Sequence, residues 1–498
     1  MSTYNKQIIN NSLVTLLQII VVSISTFYLY RYIILSIGID KLGLWSLILS
    51  VTSLANIGNF GFTGSLVKFT AELSTKGNYK TINAILNASI LSVILVLMIL
   101  LSIIYLIAFN FLGFIIDEKW IPIGRELLFF AIISLFINII ASLYYSIIEG
   151  LNMAYLRAYA FMFSTVLYVI ISVLFIEKFD LIGLAYAQLI QALVFLLLGI
   201  ILSKRYVPQF RFLYFKWHKD LMIKVYSYGF NFQVIGIAQM LYDPITKAVL
   251  SKYGGLDFVA IFELATKLVK QIRALTSGVI QTIVPKIVKI NVLEQNDKLI
   301  EAYKKVNNIN LILTFITLLL IIPLSKVISL MFLDNNQDDF IIVLIGITLG
   351  WFVSSISVPA YMLNLGTGDL KWNVIAHLLI GILNLLFCVS IGYLYNSGIY
   401  IILSWVIALI IGNLIILIEF HNRKKIDFRT TFNSTFFKLL ACFVGISVIS
   451  FYVNLRIDNI LYLIIIHGVL VAIYYSVIFF KIRTVRESIL YIYKQRNG

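Results

Sequence analysis

The chain has 498 residues, of which 61% are hydrophobic and only 12% are charged. Soluble globular proteins average about 45–50% apolar and about 25% charged residues, so this composition excludes a soluble protein and indicates an all-α, multi-pass membrane protein. A net charge of +16 would suggest a nucleic-acid partner in a soluble chain. Beside membrane helices it indicates basic loops facing anionic lipid, and we expect no nucleic-acid partner.

Apolar runs long enough to cross a bilayer recur along the whole chain. A hydrocarbon core requires about 20 apolar residues per helix. The first run is longer than the apolar segment of a signal peptide, so we expect it to remain as a membrane helix. On this basis we predict fourteen spans, at residues 12–38, 43–66, 84–109, 124–148, 156–176, 181–202, 226–251, 258–285, 306–333, 339–364, 372–394, 398–420, 436–454 and 459–480.

The basic residues of the loops give an independent check on this number. If the N-terminus is cytoplasmic, 27 Lys and Arg residues fall on the inner side of the membrane and six fall on the outer side. Inner loops are enriched in Lys and Arg, and a wrong number of spans would invert half of the loops and remove the asymmetry. We therefore predict that both termini are cytoplasmic.

The predicted spans also suggest an internal repeat. Gly38 and Gly254 are separated by 216 residues, and Gly150 and Gly366 are separated by the same distance. Units of six helices would be parallel repeats related by a pseudo-twofold axis along the membrane normal, as in several transporters. The resulting division is an N-terminal six-helix lobe at 1–205, an interfacial linker at 206–225, a C-terminal six-helix lobe at 226–420, and two further helices with a basic tail at 421–498.

The stretch FELATKLVKQIRAL, at residues 262–275, places four charges inside one predicted span. Glu263, Lys267, Lys270 and Arg273 lie within an arc of about 120° on a helix, opposite the leucines. Each charge at a bilayer centre costs about 2.5–3.5 kcal/mol, so we expect this face to line a polar interior. The alternative is a buried ion pair between Glu263 and Lys267, which would leave Lys270 and Arg273 without a local partner.

Two other predicted spans carry ionisable residues. Asp243 and Lys247 share one helix face, and Pro244 disfavours helical geometry at the residue before it and frees a backbone carbonyl. A helix broken beside an ionisable residue is a common ion or substrate site in transporters, although a proline kink with a structural Asp–Lys pair explains the pattern equally well. Arg31, in the outer third of the first span, either lines the same interior or reaches outward to the interface.

The charges inside the spans are mostly cationic, which suits a large anion. Arg and Lys side chains hold phosphate oxygens, and a diphosphate would need several of them to leave water. The sequence contains no nucleotide-binding, metalloprotease or serine-hydrolase motif, and its two cysteines and four histidines form no ligand pattern. We therefore expect a binding protein without catalytic residues, metal or cofactor.

The segment LGLWSLILSVTSLANIGNFGFTGSLVKFTAEL, at residues 42–73, resembles the second-helix signature of bacterial polysaccharide flippases. Residues 31–45 and 251–268 resemble the paired glycine motifs that follow the first and seventh helices of that family, and Pro285 also fits. The chain thus resembles the O-antigen and capsule flippases of the multidrug/oligosaccharidyl-lipid/polysaccharide (MOP) exporter superfamily. The residues of the signature are Gly43, Trp45, Asn59, Gly61, Ser65, Leu66, Lys68, Ala71 and Glu72.

This resemblance implies a transporter, not an enzyme, with two lobes around a cationic cavity in the bacterial plasma (inner) membrane. The implied substrate is an undecaprenyl-diphosphate-linked oligosaccharide, moved from the inner to the outer leaflet by alternating access. An H+ or Na+ gradient is the candidate driving force, and polysaccharide polymerase machinery is a candidate partner. The expected substrate-binding residues are Arg31, Lys68, Lys247, Lys267, Lys270 and Arg273, with Asp243 and Glu263 as candidates for ion coupling or salt bridges and Pro244 as the helix break.

Two alternative functions make different demands on the sequence. A drug/cation antiporter of the same superfamily would need an anionic cavity for cationic drugs, whereas the excess charge inside these spans is basic. A membrane-embedded polysaccharide polymerase or ligase would need a large outer loop with catalytic Arg or His residues. None of the predicted outer loops is long enough for that role.

Overall fold

A computed structural model describes most of the chain and shows only helices there. The described residues are 3–59, 61–207, 210–211, 236, 239–281, 296–334, 337–457 and 459–481. Every regular element in these ranges is helical, which confirms the predicted fold class. The chain separates into two compact units, Met1–Ala260 and Ile261–Gly498. The predicted lobe boundaries and the internal repeat stay predictions.

The first unit is built from long apolar helices joined by short turns. Asn78 begins the fourth helix with a side-chain cap, because its carbonyl accepts a hydrogen bond from the Thr81 backbone N–H at 3.2 Å. A buried core that includes Phe62, Leu97 and Leu143 joins the third, fourth and fifth helices. The helices are α1 (Thr3–Ile37), α2 (Ile39–Ser53), α3 (Phe62–Thr75), α4 (Tyr79–Ile115), α5 (Ile121–Gly150), α6 (Ala154–Tyr206) and α7 (Tyr242–Tyr253).

The predicted span at residues 43–66 falls on two helices that are joined by a 3-10 helix. Helix α2 ends at Ser53, a 3-10 helix covers Leu54–Asn59, and α3 begins at Phe62. The two parts, Ile39–Ile57 and Phe62–Thr75, differ in direction by 49°. Gly61 adopts a left-handed conformation with φ 67°, which a residue with a Cβ rarely adopts, so the glycine-rich sequence NIGNFG bends the span here.

Helix α6 holds two of the predicted spans. Its 53 residues are interrupted at Asp180, where φ is 53° and ψ is −139°. A Cβ on Gly183 would lie 2.3 Å from the Phe175 carbonyl oxygen. Eight residues of straight helix would separate these positions by about 12 Å, so the chain folds back at Asp180 and each half is long enough to be one span.

The second unit contains the remaining helices. Its largest core includes Phe315, Leu417 and Leu439, and the Tyr474 hydroxyl donates a hydrogen bond to the Phe315 carbonyl at 3.2 Å. The helices are α8 (Leu256–Gln281), which begins in the first unit, α9 (Asn296–Thr317), α10 (Ser325–Leu333), α11 (Asp338–Thr367), α12 (Lys371–Tyr395), α13 (Gly398–Lys424), α14 (Ser434–Arg456) and α15 (Ile460–Lys481).

Lys326 has a structural task at the end of α14. Its Nζ donates to the carbonyl oxygens of Asn454 at 2.6 Å and Ile457 at 3.1 Å. The last carbonyls of a helix lack partners within the helix, and a cation there also opposes the negative end of the helix dipole. This buried lysine therefore joins α10 to the C-terminus of α14.

Ten helices in the described residues are long and apolar enough to cross a membrane, and the bent pair of α2 and α3 would make eleven. This confirms a polytopic membrane protein. Helix α6 is one of the ten although it contains two span-length halves. Residues 226–235, 237 and 238 of the predicted span at 226–251 lie outside the described residues. The number fourteen and the cytoplasmic termini therefore stay predictions.

Candidate functional site

The charged face of α8 contains an ion pair near its middle. Lys267 Nζ lies 3.6 Å from Glu263 Oε1, one helical turn away. The Lys267 side chain is 47% exposed, whereas that of Glu263 is 13% exposed. The acid is thus mostly shielded, while the lysine still presents much of its surface. Lys270 is half-buried on the same helix. The pair fits the alternative noted from the sequence, but it occupies only one cation of the face.

Arg273 is held by residues that are distant in sequence, which the sequence analysis did not foresee. Its guanidinium lies 4.4 Å from the centre of the Trp351 ring, and its Nη2 lies 3.4 Å from Ser354 Oγ. Cation–π contacts of this kind stabilise a desolvated guanidinium. Trp351 and Ser354 belong to α11, about 80 residues further along the chain, and sequence spacing gives no sign of the contact.

A polar layer continues from Ser354 into α13. Ser354 Oγ and Ser357 Oγ donate to Asn413 Oδ1 at 3.2 and 3.1 Å, and Asn413 Nδ2 donates to the Leu409 carbonyl at 2.8 Å. Ser354, Ser357 and Asn413 are buried. Arg273 therefore sits at one end of a hydrogen-bonded layer that links α8, α11 and α13.

The predicted break at Asp243 and Pro244 coincides with the start of α7. The helix begins at Tyr242, so Pro244 lies in the first turn, where a missing backbone N–H removes no intrahelical hydrogen bond. Asp243 lies in the same turn, where the helix dipole favours a carboxylate. Lys247 is 4% exposed, and its Nζ lies 3.5 Å from the Ser46 carbonyl oxygen of α2.

The other two predicted cations lie in the first unit. Arg31 is half-buried in α1, and Lys68 is exposed on α3 with its Nζ 5.5 Å from the Phe69 ring centre. Arg31 lies within the predicted span 12–38, and Lys68 lies just after the predicted span 43–66. Lys267, Lys270 and Arg273 belong to the second unit, so the six predicted substrate-binding residues divide equally between the two units.

The first unit contains a cavity of about 390 Å³ that the sequence analysis did not predict. Its walls come from the 3-10 helix before α3, from α3 itself, from α5 and from the start of α6. Small-molecule sites occupy about 300–1,000 Å³, so the volume suits a compact ligand. The polar side chains that line it are Asn56, Thr63, Asn138, Ser142 and Ser146.

The α5 wall of the cavity has a recognisable pattern in the sequence. On α5, Asn138, Ser142, Ser146 and Glu149 recur every three or four residues and lie within an arc of about 80°. The same spacing drew attention to α8, but α5 has one acid among hydroxyls and amides and no cluster of charges. A search for polar faces, not only for charges, would have found it. Arg157 at the start of α6 donates from Nη1 to Glu149 Oε1 at the edge of the cavity.

Among the described residues, no group of three or more His, Cys, Asp and Glu side chains could hold a metal ion. Tyr303, His421 and Thr431 form a buried hydrogen-bonded group at the C-terminal end of α13. The arrangement described so far can bind and neutralise a ligand, because it consists of cations, hydroxyls and amides.

Comparison with known proteins places these features in context. The family model described as "Polysaccharide biosynthesis protein" matches residues 6–291. A comparison with curated proteins finds no match.

Solved structures of low sequence identity share the fold. Lipid II flippase MurJ in an inward closed conformation is 18% identical, with a TM-score of 0.65, and the match covers 93% of this chain and 99% of MurJ. An inward-facing multidrug resistance MATE family transporter of the MOP superfamily is 14% identical, with a TM-score of 0.66, and the match covers 80% of this chain and 94% of the transporter. A MOP superfamily transporter from Pyrococcus furiosus, described as having a binding pocket of reverse polarity, is 15% identical, with a TM-score of 0.57. The match covers 84% of this chain and 96% of that transporter.

Proposed function

Because this chain belongs to the polysaccharide biosynthesis protein family, we propose that it is a flippase for lipid-linked oligosaccharides. The substrate in this proposal is an undecaprenyl-diphosphate-linked repeat unit for O-antigen, capsule or exopolysaccharide synthesis. The protein would lie in the bacterial inner membrane with both termini cytoplasmic and move the repeat unit from the inner to the outer leaflet. The observation that carries the proposal is the family match on a polytopic helical chain with MOP-type fold.

The cations of α8 supply the chemistry that such a substrate requires. Two phosphates cannot cross about 30 Å of hydrocarbon without partners that replace their water. Lys267 and Lys270 offer point charges, and Arg273 offers a planar fork that is oriented by Trp351. Several moderate contacts hold a diphosphate loosely enough for release on the other side. Arg31, Lys68 and Lys247 are the corresponding candidates in the first unit.

Movement is by alternating access, and the driving force is an ion gradient in this proposal. Asp243 and Glu263 are the candidate coupling groups, since they are acids inside or beside predicted spans. Collapse of the H+ gradient or of the Na+ gradient, each applied separately to proteoliposomes, would identify the ion. Loss of transport under only one treatment supports coupling, and equal transport under both shows facilitated movement.

The multidrug antiporters share this fold, so the fold alone does not separate the two functions. The sign of the charge does, because a cationic drug requires acids to replace its hydration. The charged face of α8 carries three bases and one acid, Glu263, which is already paired, and the second acid of the helix, Asp257, lies in its first turn. This balance favours an anionic substrate.

A reconstituted system tests the proposal directly. The purified full chain is placed in liposomes that carry an undecaprenyl-diphosphate-linked oligosaccharide, and an impermeant sugar-modifying reagent reports how much glycan faces outward. We expect protein-dependent movement of this lipid and none of ethidium, a cationic drug. Movement of ethidium without movement of the glycan lipid would assign the chain to the antiporters. In cells, deletion of the gene should cause one lipid-linked repeat unit to accumulate on the inner leaflet.

A further inference from the structure

The cavity of the first unit is separate from the phosphate-binding groups on α8 and needs its own explanation. Asn138, Ser142 and Ser146 of its lining lie on α5 within the predicted span 124–148. Polar groups there are costly unless they have partners, so a face of amides and hydroxyls indicates a ligand or a structural network. The hydrogen bonds of the lining residues distinguish these two cases.

The wall of this cavity is rich in hydrogen-bond acceptors. Ser142 Oγ donates to the Ile139 carbonyl at 2.6 Å, and Ser146 Oγ donates to the Ser142 carbonyl at 2.8 Å. Asn56 Nδ2 donates to the Ser53 carbonyl at 2.9 Å. The hydroxyl protons of both serines are thus committed to the backbone, while their lone pairs, the Asn56 carbonyl and the second Asn56 N–H can still meet a ligand. Ligand hydroxyls, which both donate and accept, match such a wall better than phosphate oxygens, which only accept and could use only its amide N–H groups.

Asn138 points to a ligand more directly. It is half-buried on the cavity side of α5 and makes no hydrogen bond with any described residue. Its amide can donate two hydrogen bonds and accept two. A sugar hydroxyl is both donor and acceptor, so one vicinal pair of hydroxyls could engage both ends of this amide.

The charges of the cavity favour a neutral ligand. Glu149 and Arg157 form an ion pair at its edge, with side chains 26% and 48% exposed. The pair adds no net charge. Because Glu149 neutralises Arg157, this arginine attracts a phosphate or a carboxylate only weakly. Val67, Leu135 and Ile139 complete the wall with apolar surface, which can contact the C–H groups of a sugar ring.

Gly64 keeps the cavity open. It lies within α3, and a Cβ built on it would meet no atom within 4 Å. Glycine lowers the stability of a helix interior relative to alanine, so its presence here has a local cost. The space beyond it is the cavity, into which a larger side chain would project without striking the backbone.

We propose that this cavity binds a neutral sugar residue of the transported glycan. A neutral, hydroxyl-rich ligand is favoured by the acceptors of the wall, by the Asn138 amide and by the ion pair of Glu149 and Arg157, which adds no net charge. Only the statement that the sugar belongs to the transported glycan rests on the proposed function.

Binding to the full chain in lipid nanodiscs tests the ligand class. The probes are the methyl glycosides of glucose, galactose and N-acetylglucosamine, followed by saturation-transfer NMR, and inorganic diphosphate, followed by calorimetry. We expect at least one glycoside to bind. Asn138→Leu should lower its affinity about tenfold, because about one or two hydrogen bonds are lost. Gly64→Leu should lower the affinity to a similar extent, because the new side chain fills the cavity. Diphosphate affinity should stay unchanged in both variants.

Gly445→Leu is the matched control, since Gly445 is also a helical glycine with open space beyond its Cβ, but on α14. It should bind glycosides as the wild type does. The proposal is overturned if no glycoside binds the wild type, if Gly64→Leu binds glycosides equally well, or if Gly64→Leu weakens diphosphate instead. Glu149→Gln removes the partner carboxylate of Arg157 and should shift preference from the neutral glycosides toward glucuronate; an unchanged preference contradicts the charge argument.

The transport assay separates this proposal from the function on which it partly rests. If Gly64→Leu loses glycoside binding but flips the lipid-linked oligosaccharide at the wild-type rate, the cavity takes a free sugar and the link to the glycan is wrong. If the wild type flips no lipid-linked oligosaccharide yet binds glycosides in a Gly64-dependent way, the flippase proposal fails and the sugar site stands.

Discussion

Arg273 illustrates how one residue can look free in sequence and be held in the structure. The wheel of α8 places it at the edge of the cationic face, and the sequence of the helix suggests no acid that would pair with it. Its partners, Trp351 and Ser354, come from α11, and the buried Ser354 donates in turn to Asn413 of α13. A guanidinium fixed in this way is pre-organised, because less rotamer entropy is lost when a phosphate binds.

Replacement of Arg273 should distinguish the effect of its charge on diphosphate binding from the effect of its stacking on Trp351. Arg273→Ala should weaken inorganic diphosphate binding about 10- to 100-fold, the effect of one charge-assisted hydrogen bond. Arg273→Lys should give an intermediate affinity, because lysine keeps the charge but lacks the planar face that stacks on Trp351. Calorimetry on the full chain in nanodiscs measures both. If Arg273→Ala lowers only the unfolding temperature and leaves diphosphate affinity intact, Arg273 is a structural member of the polar layer.

Lys270 and Lys326 provide a matched pair of lysines with different expected roles. Lys270→Ala should reduce diphosphate affinity about tenfold and leave thermal stability nearly unchanged, since Lys270 is half-buried on the charged face. Lys326→Ala should do the reverse, because it frees the carbonyls of Asn454 and Ile457 at the end of α14. Unfolding temperatures and calorimetry of both variants test the contrast. The same response in both would remove the distinction between a binding and a structural cation.

At the scale of elements, helices that continue through a whole apolar run were predicted well, whereas the break within the predicted span 43–66 was not predicted. The predicted spans 124–148 and 398–420 correspond to Ile121–Gly150 and Gly398–Lys424. The predicted span 43–66 hides a break, because hydropathy averages over a left-handed glycine that costs little apolarity. Such a break depends on backbone geometry, which composition does not report.

The candidate site shows the same division. Helical periodicity alone finds the charged face of α8, since it depends on residues within one turn of each other. The polar layer of Ser354, Ser357 and Asn413 needs two helices brought together from distant parts of the chain. The cavity lies between these cases: its α5 face is periodic in sequence, but Thr63 and Gly64 join it only through the bend before α3.

The ion pair on α8 predicts an unusual gain of affinity. Glu263→Gln removes the acid that lies 3.6 Å from Lys267, so Lys267 becomes more available to an anion. We expect diphosphate affinity to rise about two- to fivefold, by analogy with helical ion pairs of about 0.3–0.5 kcal/mol strengthened by partial burial, and turnover to fall because release slows. Calorimetry and the liposome assay measure the two effects. Weaker diphosphate binding would indicate that Glu263 orients Lys267 instead of competing for it.

For the whole molecule, charge and hydropathy together determine how the chain must sit in a membrane. The 27 basic residues on one side and six on the other depend on fourteen crossings, although only ten helices in the described residues pass the length and hydropathy test. Helix α6 reconciles part of this difference, because its two halves meet at Asp180. The charged face of α8 explains another part, since its charges lower the hydropathy of that helix.

Topology can be tested with single cysteines in a variant that lacks Cys388 and Cys442. An impermeant thiol reagent applied to intact cells should label cysteines placed at Lys119 and Asp338, which the predicted topology puts outside. Cysteines at Lys76 and Lys424 should react only after permeabilisation, because the positive-inside rule puts these loops in the cytoplasm. All four positions lie in or beside short connections between helices, so the reagent meets little steric barrier once it is on the correct side. Labelling of Lys424 from outside, with Lys76 still protected, would mean an odd number of crossings between them. The fourteen-span topology would then be wrong, and with it the leaflet from which the proposed substrate enters.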